Sequence, residues 1–312
     1  MPRAKLLLVL LLLLSTACRS VSAPEAVSLD GRSLYAPTLN AEELAKKQHQ
    51  LEEARRAYEL APDDVDAVVW FGRRLAYLGR FRAAIEVFDE GLRKHPNNHI
   101  LLRHRGHRWI TVREFERAIT DLELAAAATE RTPDAVEPDG APNVRNTPIS
   151  SSHSNIWYHL ALAYFVSGRF EDAERAARAG LRFATNPDKV CSTRHWLFMA
   201  MARQGRLAEA QRDLASADIR DDWDLLENQN YHQLLRMYLG RRTADDLLTE
   251  AAEMSGANAA AIRFGVGHWF LCQGERAKAK TIFQQVVADS PWTAFGHIAA
   301  EVELGRMAAA TR

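Results

Sequence analysis

The chain is poor in the residues and motifs that covalent chemistry needs. It has three cysteines in 312 residues, Cys18, Cys191 and Cys272, and no CxxC pair. It has no GxxxxGK loop, no HExxH and no GxSxG, so no catalytic constellation is carried by a motif. Gly265-Val266-Gly267 falls inside a predicted helix, where it serves packing rather than a phosphate. No surplus of one charge exists either: 40 Lys and Arg face 40 Asp and Glu. Removing residues 1–17 deletes Arg3 and Lys5 and no acid, leaving 38 basic against 40 acidic residues. The basic excess that nucleic-acid binding uses is therefore missing. The one long apolar run, Leu6–Leu14, is too short to span a bilayer. No cofactor or resident metal is implied.

What is present is a period. The composition is that of an ordinary globular protein, 47% hydrophobic and 26% charged. In residues 65–98, Phe71, Gly72, Leu75 and Leu78 recur at helical spacing up to Gly79-Arg80. Phe81, Ala84, Ile85, Phe88 and Leu92 recur next, up to Pro96-Asn97-Asn98. Two such short amphipathic helices cannot bury both apolar faces alone, so neighbours built alike are required. Gly72, Ala84 and Phe88 return 34 positions later as Gly106, Ala118 and Leu122. The break at Gly79-Arg80-Phe81 returns at Gly168, Gly205, Gly240 and Gly274. The chain thereby resembles the tetratricopeptide repeat (TPR) family over residues 41–290. The resemblance implies an all-α fold, an α-solenoid of helix–turn–helix repeats with a C-terminal capping helix.

Residues 1–18 carry two positive charges, the apolar run and then Ser15-Thr16-Ala17-Cys18. That order is a secretory signal. The last four residues resemble the lipobox of bacterial lipoproteins. The resemblance implies lipidation of Cys18 and, with Arg19 following, an outer-membrane protein facing the periplasm. Cleavage after Ala17 without lipidation is the alternative. Cys191 and Cys272 could pair in an exported protein, or act as small apolar side chains in separate repeats.

The expected organisation is a signal peptide at 1–17, a flexible tether at 18–40 and N-terminal repeats at 41–128. A Pro-rich insertion at 129–153 follows, then C-terminal repeats and a capping helix at 154–305. Pro133, Pro138, Pro142 and Pro148 exclude a continuing helix in the insertion, which is a candidate contact element or a tolerated loop. Repeat 226–259 is degenerate, with His232 and Gln233 in apolar and small places. Ser290-Pro291 reads as an N-cap and first helical residue of the capping helix, with Glu301, Glu303 and Arg306 facing water.

His104 and His107 share a helix face without a third ligand, and Pro96 separates His95 from His99, so metal binding is not expected. Asp221, Asp222 and Asp224 lack the calcium-loop spacing and are expected to cap or precede a helix. In the TPR family the first helix of each unit lines a concave surface. Carried over repeat by repeat, that surface comprises Trp70, Arg73 and Tyr77; Arg103, His104 and His107; and Tyr158, His159 and Phe165. His195, Met199 and Arg203 follow, then Phe264, His268 and Leu271. Aromatic and Arg side chains suit a protein or peptide partner, and Arg grips carboxylates. Packing between helices is the competing role, above all for Trp70, Tyr77 and Tyr158. The Lys and Asn pattern of carboxylate-clamp TPRs is not met, since Val69, Arg73 and His104 stand in those places. The groove's histidines predict an affinity that varies between pH 5 and 7. The expectation is thus a non-enzymatic, lipid-anchored binding scaffold. An accessory subunit of a cell-envelope enzyme or secretion complex is the rival, and an enzyme in its own right the third reading.

Overall fold

The computed structural model describes residues 23–310. Among them are fourteen helices and one short hairpin of β1 (Ala26–Val27) and β2 (Ser33–Leu34). Helix α1 (Ala41–Leu60) leads. Six antiparallel pairs follow: α2 (Val65–Tyr77) with α3 (Phe81–Lys94), α4 (His99–Thr111) with α5 (Phe115–Ala128), and α6 (Ser152–Val166) with α7 (Phe170–Leu181). The others are α8 (Pro187–Arg203) with α9 (Leu207–Ala215), α10 (Gln229–Tyr238) with α11 (Ala244–Ala252), and α12 (Gly256–Cys272) with α13 (Arg276–Asp289). Helix α14 (Phe295–Ala309) closes the chain. The fold is an all-α solenoid. Cys18 lies outside the described residues.

Local chemistry sets these elements. Asp64 and Asn98 accept hydrogen bonds from the first amides of α2 and α4, and Ser151 and Thr243 form capping boxes on α6 and α11. Five of the six turns inside pairs use a glycine at positive φ, between 72° at Gly240 and 86° at Gly274. Within pairs, absent side chains make the room. A Cβ on Gly72 would stand 2.4 Å from the Phe88 ring, one on Gly106 2.7 Å from Leu122, and one on Gly267 2.7 Å from Phe283. Each glycine is the hole into which the partner helix inserts its knob.

Three expectations are corrected. Residues 24–40, read as part of a tether, are docked. Ala26 is buried, the Arg82 amide donates to Glu25, and Ala36 and Pro37 pack on Gly79. Ser290 is not the N-cap of α14 but the C-cap of α13. Its hydroxyl donates to the Val286 carbonyl in the last turn of α13, and a turn over Pro291–Ala294 delays α14 to Phe295. That turn places Trp292 edge-on to Phe81, 5.4 Å between centroids, with its indole N–H on the Tyr35 carbonyl. Lastly, Glu301 and Glu303 do not face water; they are 5% and 1% exposed.

The carboxylates are buried because α14 does more than cover the last pair. Glu301 accepts from Arg113 at 2.8 Å and from the Leu29 amide. Glu303 lies between Arg203 of α8 and Arg306, and Arg306 also donates to the Phe165 and Val166 carbonyls that end α6. Helix α14 thus ties the last pair to the turn after α4, to the ends of α6 and α8, and to the N-terminal hairpin. The spiral is closed on itself.

Candidate functional site

The inner-face residues divide into three groups. His195, Met199, Phe264 and His268 are core, each at most 1% exposed. His195 accepts or donates a bond with the Tyr238 hydroxyl at 3.2 Å and lies against Tyr231, while His268 packs against Phe165 and Phe264. Arg203 is held by Glu303 and stacks on Phe170, and Leu271 is partly buried beside it. The open concave groove expected from the sequence is filled at this end by α14. Burial pulls His195 down to about 3, and holds His104, His107, His159 and His268 well below the ordinary imidazole value. The protonation expected between pH 5 and 7 is displaced below its ordinary range.

The second group, Trp70, Arg73 and Tyr77 on α2, lies beneath the insertion. Arg73 donates to the Pro138 carbonyl at 2.9 Å, Arg74 donates to the Gly140 carbonyl at 3.2 Å, and Tyr77 fills the space a Gly140 side chain would need. Both guanidiniums stack on Trp70, at 4.5 and 4.9 Å. The insertion is a contact element, and what it contacts here is this chain's own inner face.

The third group surrounds a cavity of about 100 Å³ lined by Arg73, Tyr77, Arg103, His104, His107, Arg108 and Glu137. Glu137 enters from the insertion. One carboxylate oxygen forms an ion pair with Arg103 at 2.9 Å and the other accepts from Asn155 at 3.0 Å. Asn155 in turn accepts from the buried Lys189, whose ammonium lies over Tyr158 at 4.9 Å; burial lowers it to about 8. His159 bonds the Asn155 carbonyl and packs tilted against His107, 4.3 Å between centroids. Burial, with repulsion from Arg103 and Arg73, draws Arg108 down to about 9.

A larger space lies on the other side of α6. The floor of this groove, about 720 Å³, is Trp157, Leu160 and Tyr164, and its walls are α5 and α7 with Ala126, Ala127, Ala176 and Ala179. The gaps on either side of it are shut. In the gap before, Arg105 of α4 bridges Asp89 of α3 and Asp121 of α5, both at 2.6 Å. In the gap after, Arg194 of α8 and Arg178 of α7 both hold Asp213 of α9, at 2.7 and 2.9 Å. Counted back from the turn residue of each pair, Leu160 stands in the place of Arg105 and Trp157 in the place of Arg194. Each neighbouring gap has one of the two cations, with Leu102 or Leu197 in the other place; of these three gaps only the middle one has an apolar residue in both, and it stays open.

Cys191 and Cys272 are free thiols. Cys272 lies 3.7 Å from the His268 ring, but burial pushes its thiol up to about 12. The thiolate is the nucleophile, so this pair is not an activated one. Asp221, Asp222 and Asp224 form surface ion pairs with Arg236, Arg220 and Arg145.

The residue missed in the sequence is Arg113. It occupies the turn position that is glycine in the other five pairs, at φ 69°, with its guanidinium on Glu301 and the Thr111 and Trp292 carbonyls. A left-handed conformation costs a non-glycine residue about 1–2 kcal/mol. Its side chain at a glycine position was the signal available.

No family model and no curated protein matches the sequence. Solved structures resemble the fold at low identity. A tetratricopeptide repeat protein from Parabacteroides merdae is 16% identical, with a TM-score of 0.48, over 85% of this chain and 98% of its own. YrrB, described as a TPR protein with an unusual peptide-binding site, is 14% identical, with a TM-score of 0.43, over 84% of this chain and 100% of its own. MamA is 17% identical, with a TM-score of 0.42, over 56% of this chain and 89% of its own.

Proposed function

We propose that this protein is a non-enzymatic binding scaffold, exported and anchored through Cys18 to the outer membrane, that holds a partner polypeptide in the groove between α5 and α7. The observation that carries it is the open middle gap, apolar on its floor where its neighbours are closed by charge. Its size, about 720 Å³, lies within the range of pockets that bind ligands. On the rim Glu123 accepts from Tyr164 and lies 3.8 Å from Arg169, and Asp172 holds Arg169 and Arg175. The occupant that fits is a short segment presenting apolar side chains, because a charged one would find no free counter-charge on the floor. From Glu123 to Glu130 the wall runs about 10 Å, two turns of a docked helix.

The test is capture from a membrane fraction by the wild type and by Ala127→Arg. Ala127 is exposed on the groove wall, so the variant fills the groove without disturbing the core. A stoichiometric partner that crosslinks to a probe at position 127 and is lost in the variant is expected. Equal capture by both removes the groove from the reading, and turnover by the purified protein alone removes the scaffold. Cys18→Ser should release the protein from membranes; unchanged retention rejects the anchor.

A further inference from the structure

The cavity beside Arg103 is a different space from the groove, and its hydrogen bonds do not balance. Arg103 is 7% exposed and His104 4%. Arg103 Nη1 donates to His104 Nδ1 at 2.8 Å. A guanidinium can only donate, so Nδ1 is the unprotonated nitrogen and the proton of the neutral ring sits on Nε2. That N–H has no acceptor; the nearest carboxylate oxygen, on Glu137, is 3.8 Å away. Arg103 Nε–H has none either. Both buried groups line the same small space as Arg73 and Arg108. Arg73 donates to the Pro138 carbonyl and the Tyr77 hydroxyl, but the two unpaired N–H groups and the Arg108 guanidinium share the space with a single carboxylate, which already serves Arg103 and Asn155. Leaving a buried donor unpaired costs about 1–3 kcal/mol, and more where the donor is charged.

We infer that this cavity is a binding site for an oxyanion group, a carboxylate or phosphate, received by Arg103 Nε–H, His104 Nε2–H and the guanidinium of Arg108. The available space, about 100 Å³, limits the group to a few heavy atoms. A cleft of about 330 Å³ adjoins it, shares Tyr77, His107 and Arg108 with it, and brings Lys47 and Thr111 to its wall. That cleft gives the anion a way in and leaves room for the body of the molecule that carries it. Glu137 sets the limit on charge: its carboxylate repels a second anion on one side, so the ligand sits toward Arg108.

The experiment uses the purified full chain in a buffer free of phosphate and carboxylates. Inorganic phosphate, acetate and a short peptide with a free or an amidated carboxyl end are each titrated by calorimetry. At least one anion should bind with a dissociation constant below ~1 mM. Phosphate or acetate binding alone identifies a small free anion, and discrimination between the two peptides identifies a polypeptide end. Arg108→Gln should weaken binding about tenfold, the loss of one charge-assisted bond. Arg108→Lys, which keeps the charge and removes the planar fork, serves as the second variant if the first fails to fold. On binding, the His104 Nε2–H proton resonance should move. No heat up to ~10 mM of any probe, binding equal in the folded variants, or an unmoved resonance overturns the assignment.

Discussion

At the scale of single residues, small side chains and buried imidazoles decide most. Gly72 must stay bare because Phe88 occupies the place of its Cβ. Gly72→Ala should cost about 1–3 kcal/mol by overpacking, read from the midpoint of denaturant unfolding; an unmoved midpoint would mean that the helices part freely. The imidazoles govern pH dependence. His195 is held at about 3 and His297 at about 4 by burial, against ~6.5 in an unfolded chain. Between those values the unfolded chain binds a proton that the folded chain refuses. Stability is therefore complete above ~6.5 and is lost as pH falls toward 4 and then 3, by up to ~1.4 kcal/mol per pH unit for each group. The melting temperature should drop from pH 7 to pH 5, with a shallower drop in His195→Phe. The glycine holes were legible in the sequence because they repeat. The burial of the histidines was not, because a period tells which face a residue shares and not what covers that face.

At the scale of elements, α14 and the insertion carry the surprises. Both were misjudged in depth, and α14 starts at Phe295 rather than Pro291. The reading of Glu301 and Glu303 as solvent-facing assumed that a terminal helix shows one side to water. The structure turns that side inward, onto Arg113 and Arg203 from pairs far away in sequence. Such pairing is set by how far the spiral winds, which no local pattern encodes. Arg113→Ala leaves Glu301 a buried carboxylate without its partner, and should cost about 3–5 kcal/mol. A double-mutant cycle with Glu301→Ala should recover a coupling of at least ~1 kcal/mol; additive losses would show that the two act separately. For the insertion, prolines marked the break in the helix, while the seating of Glu137 among Arg103 and Asn155 required knowing that the loop folds back across α2 and α4.

At the scale of the whole molecule, closure changes how the protein should unfold. An open stack unfolds in pieces, because each repeat touches only its neighbours. Here the first hairpin, the turn after α4 and the ends of α6 and α8 are all tied to the last helix. Denaturation followed at Trp70 and at Trp269, in variants keeping one tryptophan each, should give coincident transitions. In Arg113→Ala the two should separate; early separation in the wild type would mean that the ties carry no cooperativity. The repeat architecture was legible from period alone, but the closing of the spiral was not, since it adds long-range ion pairs that leave the period untouched.

The Arg113 clasp has a consequence for how such a chain can change over time. Arrays of equivalent units commonly lengthen or shorten by duplication or loss of one unit. In this molecule one added or deleted pair between α5 and α12 would rotate the final helix away from Glu301's partner and strand three carriers of charge in the interior. Gain or loss of a unit therefore carries the cost of breaking this clasp, a cost an open array does not have.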